Sequence, residues 1–181
     1  MADIRLDMLG GINTVLEEQK KASKETGGKT TFSLMQFNTE QKWIREDEPI
    51  ENVPKLQDKD YRCIGGTYLY DAIGAAVAKF DADNNVMLQI VTDGKDTQSP
   101  NFTKDSIRKL LLDKQAKGWQ IDYLCADQEG FEEGVAMGIA KDHNIKMAQS
   151  DFSSSGSAAM SSHMTNYRKR HHQNMNSKKS A

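Results

Sequence analysis

The chain has 181 residues, a net charge of −2, 37% hydrophobic and 28% charged residues, which suits one folded domain with its own core and excludes a disordered chain. No apolar run approaches the roughly 20 residues that cross a bilayer, and residues 1–24 are amphipathic and charged, unlike a signal peptide. The charge divides into +5 on residues 163–181 and −7 on the rest, so the basic tail could touch nucleic acid or another anion, although a solvated, frayed terminus accounts for it better.

Residues 3–24 read as a helix, because Ile4, Met8, Ile12, Val15, Leu16 and Gln19 recur at three and four. Gly27-Gly28 ends it. Thr30 to Phe37 alternates and is rich in β-formers, so it is a strand. Asn38-Thr39-Glu40 turns the chain into a second hairpin strand, Gln41 to Arg45, with Trp43 and Ile44. Residues 46–66 read as a long acidic loop holding Pro49 and Pro54 and closing on Cys63-Ile64-Gly65-Gly66-Thr67. Loops of that length in a compact domain are functional or disordered. Leu69 to Phe80 is a helix of small residues suited to close packing.

Val86 to Val91 is apolar except for Gln89, the pattern of a strand covered on both faces. It breaks into Thr92-Asp93-Gly94, at the carboxyl end where open α/β sheets hold ligands. Lys95 to Asn101 is a loop. Thr103 caps a helix carrying Ile107, Leu110, Leu111 and Leu112 and ending at Gly118. Trp119 to Ala126 is a strand and Gln128 to Met137 a helix, with Gly138-Ile139 as its stop. Ile145 to Ala148 is an edge strand. Ser-rich residues 150–156 lead into a last helix, Ser157 to Arg170. Residues 171–181 are expected to be a disordered basic tail. From residue 69 onward helices and strands alternate, as in βαβ units on a parallel sheet. The expected fold is α/β: a three-layer, doubly wound, mostly parallel sheet with one antiparallel edge strand, in a single domain over residues 1–170.

This order and these motifs resemble a von Willebrand factor A domain over roughly residues 1–150. The features that carry the resemblance are Gly65-Gly66-Thr67 before a small-residue helix and a strand ending in Thr92-Asp93-Gly94. The resemblance implies a divalent cation at the carboxyl edge of the sheet, with a partner's carboxylate completing its shell. Mg²⁺, a hard ion with octahedral oxygen ligands, suits that chemistry. Thr67 matches the family's threonine ligand and Asp93 its acidic one. Gly65, Gly66, Tyr68, Gly94 and Lys95 would form the partner-binding rim. The family's first strand and its D-x-S-x-S motif, which should precede residues 3–24, have no counterpart. That strand would lie between the strands at 30–37 and 86–91. Three arrangements would answer its absence: a start at Met1 that cuts the motif, a strand donated by another chain or a second copy, or a sheet re-closed across the gap.

Other candidates were weighed beside these. Asp151-Phe152-Ser153-Ser154-Ser155 matches D-x-S-x-S literally, but a Ser-rich linker capping the last helix accounts for it better. Thr67 also suits a helix cap, and Asp93-Gly94 a plain turn. Asp71 and Asp96 read as solvated. His163, His171 and His172 lack a zinc spacing. Cys63 and Cys125 share no motif, and Cys125 reads as a small buried hydrophobe in a reducing cytoplasm. Neither G-x-S-x-G nor a phosphate loop is present. The expected function is a non-enzymatic intracellular protein-interaction module with a partial Mg²⁺ site. The alternatives are an Mg²⁺-dependent phosphate-ester hydrolase using Asp93, and nucleic-acid binding through residues 168–179.

Overall fold

The computed structural model describes residues 2–60, 65–83, 85–147 and 151–179. Met1, Cys63, Ile64 and Ala148 lie outside them. Helix α1 spans Ala2–Thr26, β1 Thr31–Phe37, β2 Gln41–Pro49, α2 Leu69–Lys79 and β3 Met87–Thr92. Then come α3 (Lys104–Ala116), β4 (Gln120–Cys125), α4 (Gln128–Ala136), β5 (Asn144–Lys146) and α5 (Ser157–Lys179). No helix among the described residues is long and apolar enough to cross a membrane.

The chain is mixed α/β. Strands β3, β4 and β5 form a parallel sheet in that order, and β1 and β2 form a separate antiparallel pair. This corrects the single sheet expected from sequence. Among the described residues no strand joins β1 to β3, so the sheet is not re-closed across the gap. The difference shows in burial: every residue of β4 is buried, whereas in β3 only Ile90 is. A strand whose sequence suits two covered faces is thus left as an edge.

Alternate side chains of β4 serve opposite faces. Ile121, Tyr123 and Cys125 pack with Leu69 and Ile73 of α2 and with Ile107 and Leu111 of α3. Leu124 packs with Val15 of α1, Phe152 and Met160 of α5. Leu16, the next residue of α1, instead meets Phe32 of β1 and Ile50 and Val53 beyond β2. Helices α3 and α4 begin on side-chain caps. Thr103 accepts from Ser106 N in a capping box, and Asp127 accepts from Gly130 N. Helix α4 ends as its sequence predicts: Gly138 sits at φ +83°, Ile139 N donates to Gly134 O at 3.1 Å, and Ile139 is buried.

Three expectations are corrected. Strand β2 runs past Arg45 to Pro49, because Asp47 adopts φ +49° and its N–H donates to Ser33 Oγ at 2.8 Å, holding the acidic run to β1. The chain beyond it is no free loop, since Ile50, Val53 and Leu56 are buried and Asn13 holds Leu56 by N–H and C=O at 2.8 and 3.1 Å. Helix α5 continues past Arg170 to Lys179. The basic residues just before the expected tail are fastened: Arg168 donates to Gln19 of α1 and to Thr30, and Arg170 to Gln120 of β4. Burial holds the Arg168 guanidinium below its ordinary pKa.

Candidate functional site

The segment before α2 and the loop after β3 are laced together at the carboxyl edge of β3. Thr97 N donates to Thr67 O at 2.8 Å, and the Thr97 hydroxyl accepts from Thr67 N at 2.7 Å. Two glycines permit this. Gly65 takes φ +99°, which side chains rarely adopt, and a Cβ on Gly66 would fall 2.6 Å from Thr97 Oγ1. A Cβ on Gly94 would lie 3.7 Å from Thr67 Oγ1, so the Thr67 hydroxyl and the residue after Asp93 are neighbours. Asp93 and Lys95 are exposed, and Gly66, Thr67, Tyr68 and Gly94 are half-buried. Lys95 pairs with Glu129 of α4 at 2.6 Å. The Glu129 carboxylate, against a smaller opposing effect of burial, holds the Lys95 ammonium above its ordinary pKa.

Thr67 is not the cap of α2. The helix begins after Tyr68, and its first donors go to the loop after β3. Tyr70 N reaches Asp96 Oδ1 at 3.2 Å, and Asp71 N reaches Ser99 Oγ at 3.1 Å. Asp71 and Asp96 are therefore not solvated, as their sequence suggests. Asp71 is buried and accepts from Asn101 N, Asn101 Nδ2 and Phe102 N at 3.1, 2.7 and 2.9 Å. Asp96 accepts from Gln98 N and Ser99 N, both at 2.9 Å, and from Ser99 Oγ. Both carboxylates latch a loop and are taken up in doing so.

Burial by itself would raise the Asp96 carboxyl, but hydrogen bonds from Ser99, Tyr70 and Gln98 outweigh it and hold the group below its ordinary value. A depressed carboxyl contributes stability above its unfolded-state pKa, about 3.9, and loses it as pH falls through the lower folded value. Amide protection at Gln98 and Ser99 is therefore expected to fall as the pH drops below about 4. In Asp96→Asn it is expected to be low already at neutral pH. Protection that persists undiminished to the onset of acid unfolding would contradict this.

The serine-rich match is closed on itself. Phe152 N and Ser153 N donate to Asp7 of α1 at 2.8 and 3.1 Å, and the Ser154 and Ser155 hydroxyls donate back to Asp151. Those hydroxyls hold the Asp151 carboxyl below its ordinary value. Residues 152–156 make one π turn leading into α5.

One convergence was missed in the sequence. Asp122 of β4, His143 just before β5 and His163 of α5 place ligand atoms within 4.8 Å of one another, the one such group of three or more His, Cys, Asp or Glu among the described residues. His143 Nδ1 lies 2.5 Å and His163 Nδ1 3.1 Å from the same oxygen, Asp122 Oδ1. The Asp122 side chain is fully buried. Its other neighbours are neutral amides: Gln89 Nε2 at 3.3 Å and Gln120 Nε2 at 3.4 Å. The signal was present: Gln89, Gln120 and Asp122 are polar interruptions of two apolar strands. Gln89 pairs with Asp122 in register, and Gln120 shares its face.

No protein-family model matches the chain, and no curated protein matches it.

Proposed function

We propose that the chain is a non-enzymatic protein-interaction module of the von Willebrand factor A type, with a three-layer, doubly wound sheet completed by an extended segment seated between β1 and β3. The observation that carries this reading is the split sheet. Strand β3 is apolar along most of its length yet among the described residues pairs only with β4, and most of it is half-exposed. An extended segment pairing there would satisfy the outer N–H and C=O groups and cover the apolar side chains. At the end of that slot Thr67 would offer Mg²⁺ a neutral oxygen and Asp93 a carboxylate, with a carboxylate of the partner completing the shell. Gly65, Gly66, Tyr68, Gly94 and Lys95 form the rim. The hydrolase alternative needs a second carboxylate beside Asp93, and Asp96 is occupied by loop N–H groups. The nucleic-acid alternative loses Arg168 and Arg170 to contacts within the chain.

Two measurements test the reading. Hydrogen exchange on the isolated chain is expected to show the outward amides of β1 and β3 exchanging well ahead of those of β4. Equal protection in β3 and β4 would mean the edge is already covered and would overturn the slot. Mg²⁺ titrated calorimetrically is expected to bind weakly, in the millimolar range, and to lose that binding in Asp93→Ala. An unchanged affinity in the variant would remove Asp93 from the site.

A further inference from the structure

We infer that Asp122, His143 and His163 form a Zn²⁺ site that fastens α5 to the sheet. The argument begins with charge. A fully buried carboxylate needs a compensating cation. Among the described residues neither lysine nor arginine pairs with Asp122, and Arg170 donates to the neighbouring Gln120 Oε1 instead. What surrounds Asp122 is two neutral amides and two imidazoles.

Hydrogen bonding alone leaves the cluster unfinished. Both rings approach one oxygen, and His143 has the better approach at 2.5 Å. His163 Nδ1 is buried, stands 3.1 Å from that oxygen off the line of a hydrogen bond, and has no hydrogen-bond partner among the described residues. A buried ring nitrogen beside a carboxylate that it does not bond is a vacant ligand position. Imidazole, imidazole and carboxylate together form a nitrogen-rich set that suits Zn²⁺ rather than the oxygen-seeking Mg²⁺.

The two distances to Asp122 allow it. Ligands about 2.1 Å from a tetrahedral ion stand about 3.4 Å from one another. His163 is close to that spacing already, and the His143 contact would open by about 1 Å. The His143 ring is 27% exposed and can move. It also lines an open cleft with Trp119, Gln120, Tyr167, Arg170 and His171, which gives an ion a way in and a water a fourth position. The three ligands come from β4, the turn before β5, and α5, so one ion would tie a helix to two strands.

The test is a Zn²⁺ titration of the full chain near neutral pH after chelator treatment, read by calorimetry and by thermal unfolding. One ion per chain is expected to bind and to raise Tm, and Co²⁺ in its place is expected to give the visible bands of a tetrahedral site. His163→Gln and Asp122→Asn are each expected to weaken binding at least tenfold. His163→Gln is the safer variant, because its ring is partly exposed and loss of fold can be checked by circular dichroism. His172→Gln, outside that cleft, is expected to bind as wild type. Asp93→Ala is expected to keep its Zn²⁺, which separates this site from the proposed Mg²⁺ edge. Binding that is lost in His172→Gln and kept in His163→Gln would overturn the proposal. So would a Tm that Zn²⁺ leaves unmoved while His163→Gln lowers it, since the cluster would then be a hydrogen-bonded histidine–aspartate group alone.

Discussion

Phe152→Ala is expected to lower the unfolding free energy by about 3–5 kcal/mol, the range for truncating a fully buried aromatic ring. Phe152 is 0% exposed and packs against Val15, Leu124 and Met160. Its neighbours cannot close over the space it would leave. On one side stands Gly11 of α1, where an added Cβ would fall 2.4 Å from the ring, and on another Gly156, where the distance would be 2.7 Å. Both contacts are with backbone, which has no side chain to turn inward. Gly11→Ala gains about 1 kcal/mol of helix propensity but meets the ring, at about 1–3 kcal/mol for overpacking, and is expected to be destabilising on balance. Combined with Phe152→Ala, the new methyl loses its 2.4 Å clash with the ring and keeps only the 3.0 Å approach to the residue-152 carbonyl. The double variant is therefore expected to be more stable than the sum of the two single effects, by at least about 1 kcal/mol. Urea unfolding of all four proteins measures this. Strict additivity would mean that the ring and the glycine do not share the contact.

Asp71→Ala is expected to cost about 2–4 kcal/mol, since hydrogen bonds to a charged group contribute roughly 1.5–3 kcal/mol each and are not additive. Asp71 is 6% exposed and receives three donors from Asn101 and Phe102. Without it two backbone N–H groups lose their acceptor. The damage extends beyond these groups. Phe102 lies against α2 so closely that a Cβ on Gly74 would fall 2.4 Å from its ring. The loop it anchors carries Asp96 and Thr97, which hold α2 and Thr67. Asp71→Asn keeps one acceptor oxygen and is expected to cost less than half as much. A urea midpoint shift in Asp71→Ala no larger than that of Asp71→Asn would place the stability elsewhere.

Most elements were legible because their signals are local. The stripe of Val15, Leu16 and Gln19, the Thr103 cap and the Gly138-Ile139 stop each rest on neighbours three to six residues apart, and each appears in the fold. Val86 to Val91 was read as a strand from its run of apolar residues, and β3 lies one residue along from it. The signals that failed were those whose partners are distant in sequence. Prolines and acids argued for a loop after Arg45, while Ser33, Asn13 and Leu16 hold that segment from other elements. Polarity argued for solvent at Asp71 and Asp96, and loop N–H groups occupy their carboxylates instead. His163 was set aside for want of a spacing motif. Its partners, Asp122 and His143, reach it through two parallel strands and a helix, an assembly that no short pattern can encode. The split between β1 and β3 was not legible: the sequence left a cut start, a donated strand and a re-closed sheet open there, and only the pairing of distant strands decides between one sheet and two.

That split also bears on how the molecule can deform. Two sheets that share a ladder move as one plate, because sliding breaks backbone hydrogen bonds in register. Here β1–β2 and β3–β5 share none among the described residues, and side-chain packing couples them. On α1 the coupling is divided between adjacent residues: Val15 grips the parallel sheet through Leu124, and Leu16 grips the hairpin side through Ile50 and Val53. Displacement of one sheet past the other is then a shear against interdigitated side chains, the kind of motion packed layers accommodate in small steps. Helix α1 is the element such a shear would have to slide against on both sides.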